Sequence, residues 1–228
     1  MSAWLKRQIT LNLACPKPGF MGWLTSVLTR SESKLLENQA VQLCGIKKDH
    51  HVLELGFGMG YGIQAAYQHV KGGAGMICGV DISQKRYFEA TKYFRQKIDE
   101  GKIDITYASV YQLPFSSERF DCVFHTDCYY FWYYMDLALE EIHRVMKPGS
   151  CMVSTMCLDS LKKASSRGIL RYDNCDPLQY MASLEYFGFQ DIRIEYHQQG
   201  RKKFESITAW KGKAKEDRSI KTVDGIGT

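Results

Sequence analysis

The segment Glu54-Leu-Gly56-Phe-Gly58-Met-Gly60 alternates glycines behind a carboxylate. Glycine permits a tight turn and lets backbone approach a ligand closely. A helix starting beyond such a turn offers unpaired N–H groups to a carboxylate or phosphate. The spacing is not that of a dinucleotide fingerprint, G-x-G-x-x-G. Counted from Gly56 the third glycine falls on Tyr61, and counted from Gly58 on Ile63. A plain strand-to-helix turn with no ligand is the alternative reading.

A second carboxylate stands in Gly79-Val-Asp81-Ile-Ser83. At the end of a strand it can accept both hydroxyls of a ribose through charge-assisted hydrogen bonds. Ile82 can lie against the base. Ser83 is able to cap the following helix by itself, so Asp81 is not needed for that task. Further along stand Tyr107-Ala108-Ser109-Val110, then Leu113-Pro114-Phe115 and Phe120-Asp121-Cys122-Val123. The run Glu141-Ile-His143-Arg144-Val-Met-Lys147-Pro148-Gly149 reads as structural.

His125-Thr126-Asp127-Cys128 precedes six consecutive aromatics, Tyr129 to Tyr134. Tyr129, Tyr130, Trp132 and Tyr133 are candidates for an apolar substrate cavity oriented by hydroxyls. A cation-binding aromatic cage is a second reading, and a packed helix start a third. His125 is the first candidate for a general base, because an imidazole titrates near neutral pH. Packing, or orienting a cofactor, is the alternative for the same residue. Asp127 is a candidate for orienting a substrate group. His50 and His51 precede the first strand, at the opposite end of the sheet, and His69 lies near the end of the first crossover helix. His143 is read as a surface or packing residue and His197 is not placed.

These residues need strands that end where they stand. His51–Leu55, Met76–Asp81, Ile103–Ala108, Phe120–Phe124 and Ser150–Met156 have the apolar, β-branched character of buried strands. Helices are expected over Tyr61–Val70, from Ser83 to about Glu100, over Asp136–Met146 and over Asp176–Phe187. Ile192–Tyr196 and Glu205–Trp210 form a final strand pair. Strands alternating with helices of ten or more residues imply βαβ units and a parallel sheet, with right-handed crossovers and helices on both faces. Ligands of such sheets bind beyond the strands' carboxyl ends. Residues 1–50 read as helical, broken at Pro16, Pro18 and Gly19, with Gly45 as a stop. Residues 212–228 read as a flexible tail.

The order and spacing of these motifs over residues 51–157 resemble the class I S-adenosylmethionine-dependent methyltransferase superfamily, of small-molecule type. Glu54 to Gly60 resembles its motif I, Asp81 its ribose-binding position, and Glu141 to Gly149 its run before strand five. Ser109 stands where family members commonly carry an acidic residue that bonds the adenine amino group. A neutral serine there gives a weaker hydrogen bond. The resemblance implies an α/β Rossmann-like methyltransferase fold: three layers, with a mostly parallel seven-stranded sheet and helices on both faces. It implies S-adenosylmethionine as cofactor, with Glu54, Gly56, Gly58, Gly60, Asp81, Ile82, Ser109, Val110 and His125 around it. A looser likeness of Pro18-Gly19-Phe20-Met21-Gly22 and Glu37-Asn38-Gln39-Ala40-Val41 to small-molecule members implies a helical lid over residues 1–50. Residues 51–211 then form the catalytic domain.

The expected activity is in-line methyl transfer to a small organic acceptor. A catalytically degenerate cofactor-binding or scaffolding protein is one alternative, and a protein or RNA methyltransferase another. The Asn-Pro-Pro-Tyr type of signature is absent after strand four. An NAD-dependent oxidoreductase is disfavoured by the glycine spacing.

The remaining composition narrows the class further. The chain has 228 residues, enough for one domain with a sizeable core. The net charge of +5 comes from basic residues that are spread out, so no nucleic-acid partner is expected. No run of 18 apolar residues predicts membrane insertion, and no secretory signal is read at the N-terminus. The 8 cysteines are scattered without a C-x-x-C pair, which predicts core thiols, no metal site and a reducing, cytoplasmic compartment.

Overall fold

The computed structural model describes residues 2–15, 20–170 and 175–213. Pro16, Pro18 and Gly19, and residues 214–228 of the tail expected over 212–228, lie outside the described residues. Two helices come first, α1 (Ala3–Ala14) and α2 (Phe20–Leu43). Strands β1 (His51–Leu55), β2 (Met76–Asp81), β3 (Ile103–Tyr107), β4 (Phe120–Thr126) and β5 (Met146–Met156) follow. They alternate with α3 (Tyr61–Val70), α4 (Gln84–Tyr93), α5 (Arg95–Asp99) and α6 (Met135–Val145). Then come α7 (Leu158–Ser166), α8 (Pro177–Tyr186), β6 (Phe189–Gln199) and β7 (Lys202–Lys211). The strands form one seven-stranded sheet in the order β3-β2-β1-β4-β5-β7-β6. β1 to β5 pair in parallel, and β7 runs antiparallel between β5 and β6.

Side chains alternate across a strand, and two cores result. Leu53, Leu55, Cys78, Val80, Val123 and Met152 face α6 and α8. Val52, Ile77, Cys122, Phe124 and Val153 face the end of α2, α3 and α4. By the same alternation Glu54 points toward α2 and α3, and His125 toward α8. Burial on both faces explains the near-continuous apolar runs of the parallel strands.

Local signals set the element ends. Ser83 accepts the Arg86 N–H at 3.4 Å and caps α4. Asp176 caps α8 ahead of Pro177 at its first position. Gly188 follows α8 at φ +90°, a conformation glycine adopts without penalty. Three expectations change. The single helix over 83–100 breaks at Phe94, whose buried ring lies beneath Gly60. Strand five begins at Met146 rather than Ser150, with a register shift against β4 between Phe120 and Cys122. Helix α7, which follows Met156 directly, was not expected and buries Leu161.

Candidate functional site

The carboxyl ends of β1 to β5 open onto a cavity of about 620 Å³, within the usual size of small-molecule sites. Its floor is the glycine loop. Gly56, Gly58 and Gly60 all have positive φ, at 69°, 51° and 77°. Gly56 N donates to the Val80 carbonyl at 2.7 Å, so the loop leaves β1 bound to β2. A methyl group on Gly56 would overlap Cys128 Sγ. The glycine spacing therefore answers both to backbone conformation and to the chain that follows β4.

Asp81 terminates β2 beside this loop. Its Oδ2 accepts the Gly58 N–H at 2.9 Å and its Oδ1 the Ser83 N–H at 2.7 Å. Burial raises its pKa, while these two N–H groups oppose the rise. Ile82 lies beside it, half its surface exposed, on the cavity. Ser109 and Val110 line the adjoining wall. Ser109 Oγ accepts the Tyr111 N–H at 3.3 Å. The Leu113-Pro114-Phe115 loop is clamped from α6: Glu141 Oε2 accepts the Leu113 N–H at 2.7 Å, and Arg144 donates to the Leu113 and Phe115 carbonyls. Glu141 and Arg144 also pair with each other at 2.7 Å. The run read as structural is the brace of this wall.

Opposite lies the segment after β4. Asp127 adopts φ +51°, which aspartate tolerates better than most residues. It lines the cavity. Burial raises its pKa to about 7, with the Glu32 charge adding to the rise, against hydrogen bonds from Tyr130 and the Cys157 N–H. Cys128 also lines the cavity, but burial pushes its thiol well above the ordinary range, so it is no thiolate.

The aromatic run divides. Its start is a single 3-10 turn, Tyr129–Phe131, so successive rings point in unlike directions. Tyr130, Phe131 and Trp132 line the cavity. Tyr129 does not; it is fully buried and stacks on Tyr180, ring centroids 4.3 Å apart. Tyr133 is 77% exposed and also lies off the cavity. Of the four rings expected to face a substrate, the structure brings two, and adds Phe131.

His125 is corrected as well. It is fully buried, absent from the cavity lining, and within 2.9 Å of Tyr180 Oη through Nε2. Its ring packs on Trp132 at 4.8 Å between centroids. Burial pushes its pKa down to about 3, so it is neutral at physiological pH. An imidazole in that setting is not poised as a general base, and it does not face the cavity. Glu54 and Gly60 lie behind the lining rather than in it.

Sequence reading gave no site role to Glu32, or to Glu37, which it named only as part of the lid stretch. Helices α1 and α2 close one side of the cavity through Asn12, Leu13, Leu28, Glu32 and Glu37. Glu37 accepts the Gly62 N–H at 2.6 Å, and burial raises its pKa to about 8. Helical spacing alone does not announce a carboxylate facing inward. Arg86 is the basic residue among the described lining residues, and it pairs with Glu89 at 3.0 Å. Among the described residues no cluster of His, Cys, Asp or Glu is arranged to hold a metal ion. No described helix is long and apolar enough to cross a membrane.

Residues 53–154 match the family model described as a methyltransferase domain. The chain is 24% identical over 177 residues to the uncharacterized methyltransferase YdaC of Bacillus subtilis, covering 76% of this chain and 90% of that one. It is 25% identical over 162 residues to the ubiquinone/menaquinone biosynthesis C-methyltransferase UbiE of Pasteurella multocida. There it covers 69% of this chain and 60% of the relative. The fold resembles that of a phosphoethanolamine N-methyltransferase from Haemonchus contortus, solved with phosphomonomethylethanolamine and S-adenosylhomocysteine. That match has a TM-score of 0.62 at 18% identity, over 78% of this chain and 52% of the other.

Proposed function

We propose that this chain, a class I S-adenosylmethionine-dependent methyltransferase, methylates a small organic molecule that is neutral or cationic. The observation that carries the acceptor assignment is the charge of the cavity wall: Glu32 and Asp127 face it beside Tyr130, Phe131 and Trp132. An acidic acceptor would meet repulsion from that wall; among the described lining residues the basic one is Arg86, close to Asp81 at the other wall. An apolar body with a neutral or protonated polar group fits.

The residues present fit the cofactor. At Gly58, which lines the cavity, a side chain would enter space that nothing nearer than 3.9 Å fills, and Asp81 keeps acceptor capacity beside its backbone N–H partners, since a carboxylate offers about four lone-pair sites. Asp81 would take the ribose hydroxyls, Ile82 one face of the base, and Ser109 and Val110 its edge. The bound cofactor supplies an electrophilic methyl group on a sulfonium centre. Tyr130 and Trp132 hold the acceptor in line with it and exclude water. Positioning of this kind contributes up to about 7–11 kcal/mol. Asp127 takes the proton that the nucleophile loses. Its pKa of about 7 matches a base working near neutral pH. His125 supports Trp132 from behind. α1 and α2 act as the lid, and the free thiols fit a reducing, cytoplasmic compartment.

The test is thermal unfolding with S-adenosylmethionine, S-adenosylhomocysteine and NAD. A ligand at about a hundred times its dissociation constant adds roughly 2.7 kcal/mol, a rise of about 5–10 °C for this length. Stabilisation by the two adenosyl ligands alone is expected. A panel of amines, phenols, thiols and carboxylic acids then reads the acceptor class, and turnover confined to the acids would overturn the proposal. No response to either adenosyl ligand would point to a degenerate scaffold.

A further inference from the structure

Three thiols from three elements meet on one face of the sheet. Cys122 of β4 and Cys151 of β5 are register partners on adjacent parallel strands, their sulfurs 3.6 Å apart. Cys44, which follows α2, puts its carbonyl 3.7 Å from Cys122 Sγ and 3.6 Å from Cys151 Sγ. Its thiol lies within hydrogen-bond reach of both sulfurs. Cys44 and Cys122 are buried, and Cys151 is only partly so. Neither member of the strand pair lines the cavity. Beside them His50 carries a buried Nδ1 with no hydrogen-bond partner, and its charge acts on Cys151. A buried polar atom left unpaired costs about 1–3 kcal/mol. Packing alone asks neither for a partly exposed thiol nor for an orphaned imidazole nitrogen next to it.

We propose that Cys122 and Cys151 form a site that reacts with hydrogen peroxide and closes to a disulfide, with Cys151 attacking, Cys122 resolving and His50 receiving the first proton. His50 Nδ1 takes the proton of the Cys151 thiol. The thiolate attacks one peroxide oxygen. An S–O bond forms, the O–O bond breaks, and the departing hydroxide recovers the proton from His50 and leaves as water. Cys151 is then a sulfenic acid. The Cys122 thiol attacks its sulfur. An S–S bond forms, the S–O bond breaks, and hydroxide leaves with the Cys122 proton as a second water. The two thiols together lose two electrons and the peroxide gains them. A dithiol reductant restores the pair by thiol–disulfide exchange.

The geometry suits both steps. Paired strands lie about 4.7–4.9 Å apart, inside the range of about 4.4–6.8 Å that a disulfide needs between its Cα atoms. Strand alternation points both side chains to the same face. Turning them brings the sulfurs from 3.6 Å to a bond of about 2.05 Å without moving a strand. Electrostatics select the attacker, since the thiolate is the nucleophile. Hydrogen bonds from Cys122 and Cys44, and the His50 charge, lower the Cys151 pKa. Burial holds the thiols of Cys44 and Cys122 well above the ordinary range. Of the other charged groups nearby, Asp121 of β4 feels His50 and is tied to Lys147 at 2.7 Å, and Glu54 opposes ionisation of Cys44.

The experiment treats the reduced full chain with hydrogen peroxide and maps its cysteines by peptide mass spectrometry, with and without dimedone, which captures sulfenic acids. A disulfide between Cys122 and Cys151, reversed by dithiothreitol, is expected. Cys151 should react about tenfold or more faster than the partly buried Cys15, Cys128 and Cys175, the advantage that one pKa unit gives in thiolate fraction. In Cys122→Ala the second step is lost, so the Cys151 dimedone adduct, scarce in the wild type, should accumulate. His50→Gln should slow the first step about tenfold or more and leave the same bond. The wild-type map and rates decide the pairing even where a variant does not fold. A bridge from Cys151 to Cys44, no bridge at all, or modification spread evenly over Cys15, Cys128, Cys151 and Cys175 would overturn the site. An unchanged rate in His50→Gln would remove His50 from the first step.

Discussion

The Asp81 carboxylate reaches across from β2 to the glycine loop, Oδ2 accepting the Gly58 N–H at 2.9 Å. One side chain thereby fixes the loop's conformation and the place of the proposed ribose. Asp81→Ala removes the loop anchor and the hydroxyl acceptor together. A loss of about 1.5–3 kcal/mol in cofactor binding is expected, the range for hydrogen bonds to a charged group. Calorimetry with S-adenosylhomocysteine reads it, and an unchanged affinity would remove the ribose from this position.

Gly56 carries two demands that can be separated. Its φ of 69° costs a residue with a side chain about 1–3 kcal/mol, and its Cβ position is filled by Cys128 Sγ. Gly56→Ala should lower the melting temperature through both. Adding Cys128→Ala clears the overlap and should restore only the steric part, leaving a deficit of a few degrees at about 2–4 °C per kcal/mol. Full recovery in the double variant would mean that φ does not matter here, and no recovery that Cys128 does not.

His125 and Tyr180 are a buried polar pair at 2.9 Å. Tyr180→Phe leaves the imidazole Nε2 unpaired, with Ser154 Oγ still 3.5 Å from Nδ1, and should destabilise by about 1–3 kcal/mol, with kcat per folded molecule nearly unchanged. The pKa of His125 is depressed, so the unfolded chain binds the extra proton. Stability from this group is complete above the ordinary histidine pKa of about 6.5, and it falls as pH drops toward about 3. Denaturant melts at pH 5 and 7 check the direction. A shifted rate–pH profile in Tyr180→Phe would put His125 back into the chemistry.

Much of this fold can be read from single residues. The strands are legible because burial on both faces makes them apolar runs, and the loops because Gly56 and Gly188 sit where a positive φ restricts the choice and Asp81 where a carboxylate binds the loop. The acceptor side is less legible for a definite reason. Tyr129 to Tyr134 follow neither a period of 2 nor one of 3.6 but start in a 3-10 turn, so no pattern says which ring faces inward. The inward role of Glu37 escapes because its partner Gly62 is 25 residues away, although the stretch it begins is legible as part of the lid. His125 misleads because strand alternation turns it toward α8, while its position in sequence, at the end of β4, suggests the cavity.

Asp127 gives the sharpest link between stability and rate. Its pKa is raised to about 7, first by burial and then by Glu32. Below that value it is protonated and cannot accept the nucleophile's proton. The rate should therefore climb about tenfold per pH unit and level off above about pH 7. Asp127→Asn should lower kcat by about 10²–10⁴-fold and leave S-adenosylhomocysteine affinity unchanged. Stability should move the other way. The unfolded carboxyl ionises near 3.9 and the folded one near 7, so the fold loses stability as pH rises through that window and bears the full cost above it. Asn keeps the polar contact without the charge, so the variant should melt higher than wild type at pH 8. A base retained for its chemistry at the expense of the fold gives that pair of results. A variant slower and less stable at pH 8 would make Asp127 a structural residue of the β4 turn, and the acceptor's proton would then leave by water.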